Sequence, residues 1–335
     1  MFAYVIKRIL FMIPTLVAIM IITFAVVHLA PGDPAQLQLQ SAAASSVSAQ
    51  QAKAIVEETR AFYGLDKPAH RQFLMWISRA ARLDFGVSFK DKRPVMDKIM
   101  EAIPVTLLLN ITAIMVVYII SIPVGVISAS KKGGLFDRFS LASTLVLYSI
   151  PSFWAAIVLI SFFGGGEYLN WFPIAGIASD GIGSLPWHGK IFNVLWHMVL
   201  PVVCLTYGGF AFLSRFARSS MLRTIDQNYI VTARAKGLSE WKVLVKHAMR
   251  NALIPFVTLI GTLLPALIGG SVIIEEIFSI PGMGRLGFES VLSRDYPVIM
   301  AIAFISALLT LLGTLLSDIL CAAVDPRISI EGRNR

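Results

Sequence analysis

The chain has 335 residues, 56% of them hydrophobic and 15% charged, whereas an ordinary soluble domain is about half apolar and a quarter charged. That balance excludes a chain solvated by water alone, so lipid solvates part of it. A net charge of +9 would suggest nucleic acid as partner in a soluble protein, but here Lys and Arg cluster at the ends of apolar runs, where they orient helices in a membrane and leave no nucleic-acid role. Cys204 and Cys321 lie far apart in apolar surroundings, which supports neither a disulfide framework nor a metal site and reads as two small buried hydrophobes.

A helix that spans about 30 Å of hydrocarbon needs roughly 20 mostly apolar residues, and about six segments qualify: 9–30, 105–129, 139–163, 195–216, 252–278 and 298–322. The first follows Lys7 and Arg8 but lacks a small-x-small cleavage site, so it reads as a retained span and not as a signal peptide. Pro14, Pro123, Pro151, Pro201 and Pro265 are tolerable kink points, because neighbouring helices can satisfy the freed carbonyls. Trp154, Trp171, Trp187 and Trp196 fall near predicted interfaces, where amphipathic rings anchor helices.

Positive charge in the short connections sets the orientation. Lys7 and Arg8, then Lys131, Lys132 and Arg138, then the basic run from Arg215 to Arg250 lie on one side, which places both termini in the cytoplasm of a bacterial inner membrane. The opposite connections carry only Lys190, and Arg285 with Arg294. The long first outer loop, 31–104, translocates regardless of its charge. It opens on a Pro31-Gly32-Asp33-Pro34 turn and a flexible stretch to about Val47. Ser48 and Gln51 then form a capping box before an amphipathic helix carrying Ala52, Ile55, Val56 and Ala61 and ending near Gly64. A second helix begins near Pro68 and carries Leu74, Ile77 and Ala81 before Asp84-Phe85-Gly86. This insertion reads as a helical cap on the spans, and as a surface that meets an outside protein or shapes the pore entrance.

In the cytoplasmic loop 217–250, Asp226 is placed to cap a helix of about two turns, 229–236, that stops at Gly237, a residue free to take positive φ at C′. Ser239 caps a second helix through Trp241, Val245 and His247 into the fifth span. A two-turn helix does not persist alone in water, so it requires a surface to lie on. A basic loop that holds anionic lipid is the competing reading.

Glu275 and Glu276 near the outer end of the fifth span and Asp318 near the inner end of the sixth are expected to reach interfacial water or to pair helices, with pore lining as the alternative. Asn110, Thr112, Thr258 and Thr262 are candidates for bonds between helices. His28, His197 and His247 have no second ligand at metal spacing, and no His-Glu-x-x-His occurs, so neither a metal nor an intramembrane protease is read. No catalytic residue and no cofactor follow from the sequence.

The run Tyr229-Ile230-Val231-Thr232-Ala233-Arg234-Ala235-Lys236-Gly237-Leu238-Ser239-Glu240, with His247-Ala-Met-Arg-Asn-Ala-Leu-Ile-Pro255, resembles the coupling-helix signature of ABC importer permeases of the dipeptide/oligopeptide branch. Ordered matches along the chain extend the likeness: Tyr63-Gly-Leu-Asp-Lys-Pro68, Ile122-Pro-Val-Gly125, Ile150-Pro-Ser-Phe153, Pro281-Gly-Met-Gly284 and Asp325-Pro-Arg327. Leu185-Pro-Trp187, Leu195 to Pro201, Ser293 to Pro297 and the tail 324–333 are similar to a sub-branch that takes up peptides and admits microcin C. Gly237 and Ala233 match the general importer motif, while Val231 and Thr232 replace its glutamate and first alanine.

The resemblance implies an all-α polytopic protein of type I importer permease fold with a small helical extracytoplasmic insertion after the first helix. It implies a cytoplasmic N-terminus and first span (1–30), an outer loop (31–104) and a permease core (105–335) with a cytoplasmic tail. Of its residues, Tyr229, Ile230 and those from Thr232 to Glu240 would couple to ATPases. The implied partners are a second homologous permease, two cytoplasmic ATPases, an extracytoplasmic substrate-binding protein and membrane lipid. The function so implied is ATP-driven import of peptides or peptide-like compounds by alternating access. The alternatives are import of nickel or glutathione, or a stand-alone secondary transporter. No Gly-x4-Gly-Lys-Ser/Thr phosphate loop occurs, so ATP chemistry belongs to another chain.

Overall fold

A computed structural model describes residues 2–29, 67–164 and 168–324. The Pro31–Pro34 turn, the helix expected after Ser48 and the tail from Asp325 lie outside the described residues. In chain order the helices are α1 (Phe2–Leu29), α2 (Ala69–Ala80), α3 (Val95–Ser130), α4 (Leu135–Ser149), α5 (Ser152–Phe163), α6 (Trp187–Ile225) and α7 (Asn228–Ala235). There follow α8 (Glu240–Lys242), a π-helical turn (Val243–Ala248), α9 (Met249–Ala252), α10 (Ile254–Gly269), α11 (Val272–Ile277), α12 (Met283–Leu292) and α13 (Tyr296–Val324). Among the described residues the only extended pairing is an isolated bridge between Val87 and Pro94.

Among the described residues, four unbroken segments are long and apolar enough to cross a membrane: Val5–Leu29, Val95–Ser130, Trp187–Ile225 and Tyr296–Ile319. The two longest hold 36 and 39 residues, well beyond the roughly 20 that hydrocarbon requires. The sequence placed their ends too far in, because Asp97, Lys98 and Glu101 on α3 and Arg218 and Arg223 on α6 lower the local hydropathy while the backbone continues as helix.

The predicted third and fifth spans are interrupted. The third is α4 and α5, bent by 95°. Ile150 is extended at φ −85° and ψ 123°, the conformation that Pro151 imposes on its predecessor, and the freed Ile150 carbonyl accepts the Tyr207 hydroxyl of α6 at 2.7 Å. The fifth stops at Gly270, which sits at φ 66° and ψ 172°. A Cβ there would lie 2.5 Å from Oε1 of Glu275 and 2.6 Å from the Gly284 nitrogen, so the site admits only glycine. Asn110 of α3 donates to the Ala266 and Leu267 carbonyls at 3.0 and 2.9 Å, supplying partners at the end of α10.

Of the roles expected for Glu275, interfacial water is excluded, because the residue is fully buried, and it pairs helices instead. Its carboxyl accepts the backbone N–H groups of Ser271 (3.2 Å) and Arg285 (2.9 Å) and the Thr106 hydroxyl (3.2 Å). Thr106 in turn accepts the Met283 N–H at 2.7 Å. The carboxyl is buried because donors from the start of α11, the first turn of α12 and α3 converge where only an acceptor satisfies them. Glu276 remains partly exposed beside Arg285, 3.5 Å away. Thr112 bonds back to Leu108 in its own helix at 2.8 Å, and so does not bridge helices as expected.

The chain forms two compact units, Met1–Ile103 with Leu286–Leu312, and Pro104–Arg285 with Gly313–Arg335. In the first, Pro68 precedes α2, as read from sequence. Phe85 is buried and its ring lies 5.7 Å from that of Phe304. The Arg79 guanidinium bonds Asp84 at 2.9 Å and holds its carboxyl below the usual carboxylate range. Asp295, fully buried, accepts the Ser88 hydroxyl and the Phe89 N–H, the latter at 2.9 Å. In the second unit, Leu109, Ala156, Met198, Leu200, Val202, Cys204, Ile274, Phe278 and Ile280 form a shared core. Cys204 is thus the buried hydrophobe expected. His197 is also buried and structural, its Nδ1 2.8 Å from the Asn193 carbonyl.

Replacing Glu275 with alanine strands three donors, each costing about 1–3 kcal/mol when buried without a partner. The purified protein should lose several degrees of thermal stability in detergent, and Glu276→Ala should lose far less. Equal losses would contradict this account of the turn.

Candidate functional site

The candidate residues sit on a foundation built by the C-terminal parts of α3 and α6 and the first turn of α4. Arg218 donates to both oxygens of buried Asp137, at 2.6 and 2.8 Å. The Ser128 hydroxyl and the Gly133 N–H, the latter at 2.8 Å, complete the carboxylate's partners. A bidentate pair with its remaining sites filled is geometrically specific, and removal of either partner costs about 3–5 kcal/mol. Two turns beyond Arg218, α6 ends. Asp226 closes it at φ −84° and ψ 3°, and Gln227, extended at φ −80° and ψ 146°, precedes α7. Asp226 was expected to cap the short helix. The continuation of α6 to Ile225 makes it the end of that helix instead.

Predicted over 229–236, the short helix is found at Asn228–Ala235. Gly237 follows at φ 76°, and its N–H bonds the Arg234 carbonyl at 2.9 Å. This is the left-handed C′ geometry read from the sequence. Ser239 takes the N-cap position of α8 with no side-chain capping bond, and its carbonyl accepts the Val243 N–H at 3.0 Å. Arg234 bonds Glu240 at 2.8 and 3.3 Å across the glycine. Both side chains are exposed, so the pair contributes at most about 1 kcal/mol.

Sequence reasoning asked for a surface under this helix, and the chain itself provides one. Ile230 and Ala233 are buried in a cluster with Val126 and Ala129 of α3, Met221 of α6, Val243 and Ala248 of the π-helical turn, and Ala252. Burying one isoleucine contributes roughly 1.5–3 kcal/mol. Ser220 donates to the Ala252 carbonyl at 2.7 Å, and Asn251 donates to the Tyr229 hydroxyl at 2.8 Å, so the floor is tied at both edges.

The other candidates, Tyr229, Thr232, Arg234, Ala235, Lys236, Gly237, Leu238, Ser239 and Glu240, are exposed. The structure adds Val231, 57% exposed, and Trp241, 70% exposed, to the same surface. Neither was among the candidates. A tryptophan inside a basic loop was the available signal. Val231, Leu238 and Trp241 are thus exposed apolar side chains of one short segment, which water solvates poorly. Among the described residues there is no group of His, Cys, Asp and Glu that could hold a metal.

Comparison with known proteins identifies the family. The family described as binding-protein-dependent transport system inner membrane component matches residues 121–330, and its N-terminal companion matches residues 1–110. This chain belongs to that family. It is a multi-pass inner-membrane component of such a transport system. The inner membrane ABC transporter permease protein YejB of Escherichia coli is 38% identical, with 99% of this chain and 100% of that one covered. The oligopeptide transport system permease protein AppB of Bacillus subtilis is 40% identical over 98% and 99%. The peptidoglycan transport system permease protein YejB of Agrobacterium fabrum is 38% identical over 99% of each. Among solved structures, the inward-facing methionine ABC transporter MetNI covers 69% of this chain at 18% identity, with a TM-score of 0.49.

Truncating Ile230 to alanine in this permease removes the main anchor of α7, at a cost of about 2–5 kcal/mol if the cavity stays open. Amide exchange across 228–235 should accelerate about tenfold or more, while the middle of α6 keeps its protection. Unchanged exchange in α7 would show that Ile230 does not seat it.

Proposed function

We propose that this chain is the translocation subunit of an ATP-driven importer of peptides or peptide-like compounds, and that Tyr229 to Glu240 form the segment through which ATPases act on it. The observation that carries the reading is the two-faced short helix. Its inner face is packed on the inner ends of α3 and α6 and on the π-helical turn, while its outer face is open. Any partner that grips the outer face therefore pulls on the spans through packed side chains.

In this reading two cytoplasmic ATPases supply hydrolysis, since the sequence has no phosphate-binding loop of its own. A second homologous permease completes the pore, and an extracytoplasmic binding protein delivers the substrate. Residues 1–30 comprise a cytoplasmic N-terminus and the first span, 31–104 form the outer insertion, and 105–335 the core with the coupling loop and tail. Both termini face the cytoplasm, as the Lys and Arg distribution requires. Transport proceeds by alternating access, in which closure of the ATPases favours one of two arrangements of the spans. The peptide class follows the names of the relatives from Bacillus subtilis, an oligopeptide system, and Agrobacterium fabrum, a peptidoglycan system.

Ala233 faces the floor, so a bulky residue there disturbs the seat of α7 itself and reports on packing. Val231 and Leu238 point to solvent and report on docking. Changing both to aspartate should leave the permease in the membrane at wild-type level while the ATPase no longer copurifies and peptide uptake falls about 30-fold, the loss expected when two contacts worth about 1 kcal/mol each are removed from a docking face. Retention of the ATPase together with normal uptake would overturn the coupling assignment.

A further inference from the structure

Beside the coupling segment, on the flank that does not carry Val231, an open cleft of about 600 Å³ is lined by Tyr229, Lys246, His247, Arg250, Asn251, Leu253 and Ile254. Its chemistry is one-sided. Lys246 and Arg250 stand one helical turn apart, both exposed, with His247 between them, and no carboxylate is among the lining residues. Neither cation makes an ion pair with a described residue. The Asn251 amide and the Tyr229 hydroxyl, bonded to each other at 2.8 Å, add polar groups at the rim.

The opposite wall is apolar. Leu253 and Ile254 open α10, whose sequence Ile-Pro-Phe-Val-Thr-Leu-Ile-Gly-Thr-Leu-Leu-Pro-Ala-Leu-Ile-Gly holds no charged residue. A cationic floor that runs straight into the first turn of an uncharged helix suits a ligand with an anionic head and an apolar body. A soluble phosphate compound has no use for that apolar wall, and a protein carboxylate would lie on the solvent side of the basic pair. We propose that this cleft seats the phosphate-bearing headgroup of an anionic phospholipid from the cytoplasmic leaflet, with Lys246 and Arg250 on the phosphate and the acyl chains along Leu253 and Ile254. The proposal rests on the cytoplasmic placement of this loop, as the functional reading does, but not on ATPase coupling.

Lipid held there braces one side of the floor on which α7 lies. His247, Val243 and Ala248 belong to the same π-helical turn, and Asn251 reaches Tyr229 directly. Occupancy of the cleft would therefore hold the seat of α7 as the spans move, and the transporter would depend on anionic lipid for reasons separate from membrane insertion.

The test uses the full chain with its partner subunits, purified in detergent and titrated with phosphatidylglycerol, binding being read by native mass spectrometry. Lys246→Ala with Arg250→Ala should weaken retention of phosphatidylglycerol by about 30-fold, since each basic residue near an anionic lipid surface contributes about 1 kcal/mol. Phosphatidylcholine should be retained equally by both forms, and Lys246→Arg with Arg250→Lys, which keeps the charge, should retain phosphatidylglycerol. An equal loss in Lys131→Ala with Lys132→Ala, which changes another basic loop, would mean diffuse attraction and overturn the site. Displacement of phosphatidylglycerol by millimolar inorganic phosphate would assign the cleft to a soluble phosphate and overturn the lipid. Loss of the ATPase with unchanged lipid retention would assign it to a protein carboxylate, and overturn it likewise.

Discussion

Backbone groups inside a membrane cannot turn to water, so every interruption of a helix must bring its own hydrogen-bond partner. The fold of this permease depends on how two interruptions meet that demand. At Pro151 the partner is one hydroxyl, Tyr207, reaching the Ile150 carbonyl from α6. At Gly270 the partners come from α3, where Thr106 and Asn110 stand one turn apart. Asn110 serves the end of α10, and Thr106 joins the donors and acceptors around Glu275. A single face of α3 thus makes a broken helix tolerable. The fully buried Glu275 follows from the same demand, because the N–H groups of Ser271, at the start of α11, and Arg285, in the first turn of α12, need an acceptor.

The same economy of means recurs at the opposite end of α3. Its last residues supply Val126 and Ala129 to the floor beneath α7 and Ser128 to Asp137. Close approach makes this possible: a Cβ on Gly125 would lie 2.5 Å from the Ala217 Cβ, so α3 and α6 touch backbone to backbone, while Asp137 of α4 ties to both through Arg218 and Ser128. Displacement of the floor is therefore passed to α3 and α6 together. In the proposed reading this explains how a helix of 8 residues can act on segments several times its length.

Much of this was legible in the chain. Apolar runs separated by Lys and Arg located the spans, since lipid and water impose so different a composition. Gly237 marked the end of α7, and Pro68 the start of α2, because local backbone chemistry decides those positions. What could not be read was how the spans are interrupted. Pro151 looked like one more kink, but a 95° bend requires Tyr207, a residue 56 positions later whose role no local pattern reveals. Glu275 was placed in interfacial water for the same reason: a carboxyl in an apolar stretch is costly unless distant donors converge on it, and Thr106 lies far away in sequence. The inner face of α7 was missed as an intramolecular seat because its partners are split among α3, α6 and the π-helical turn.

That seat changes the meaning of the motif from Val231 to Gly237. Ala233 and Gly237, the two positions that match the general importer pattern, serve the chain's own structure, one as a small residue against the floor and the other as the left-handed stop. Val231 and Thr232, which replace the motif's glutamate and alanine, both lie on the exposed face. The shared positions therefore fix how the helix sits, and the divergent ones fall where a partner would read it. A groove that accepts valine and threonine at these points has no reason to offer the cation that a glutamate would need. In the proposed reading, the departure from the general motif selects which ATPase docks and leaves intact the mechanical path from α7 to the spans.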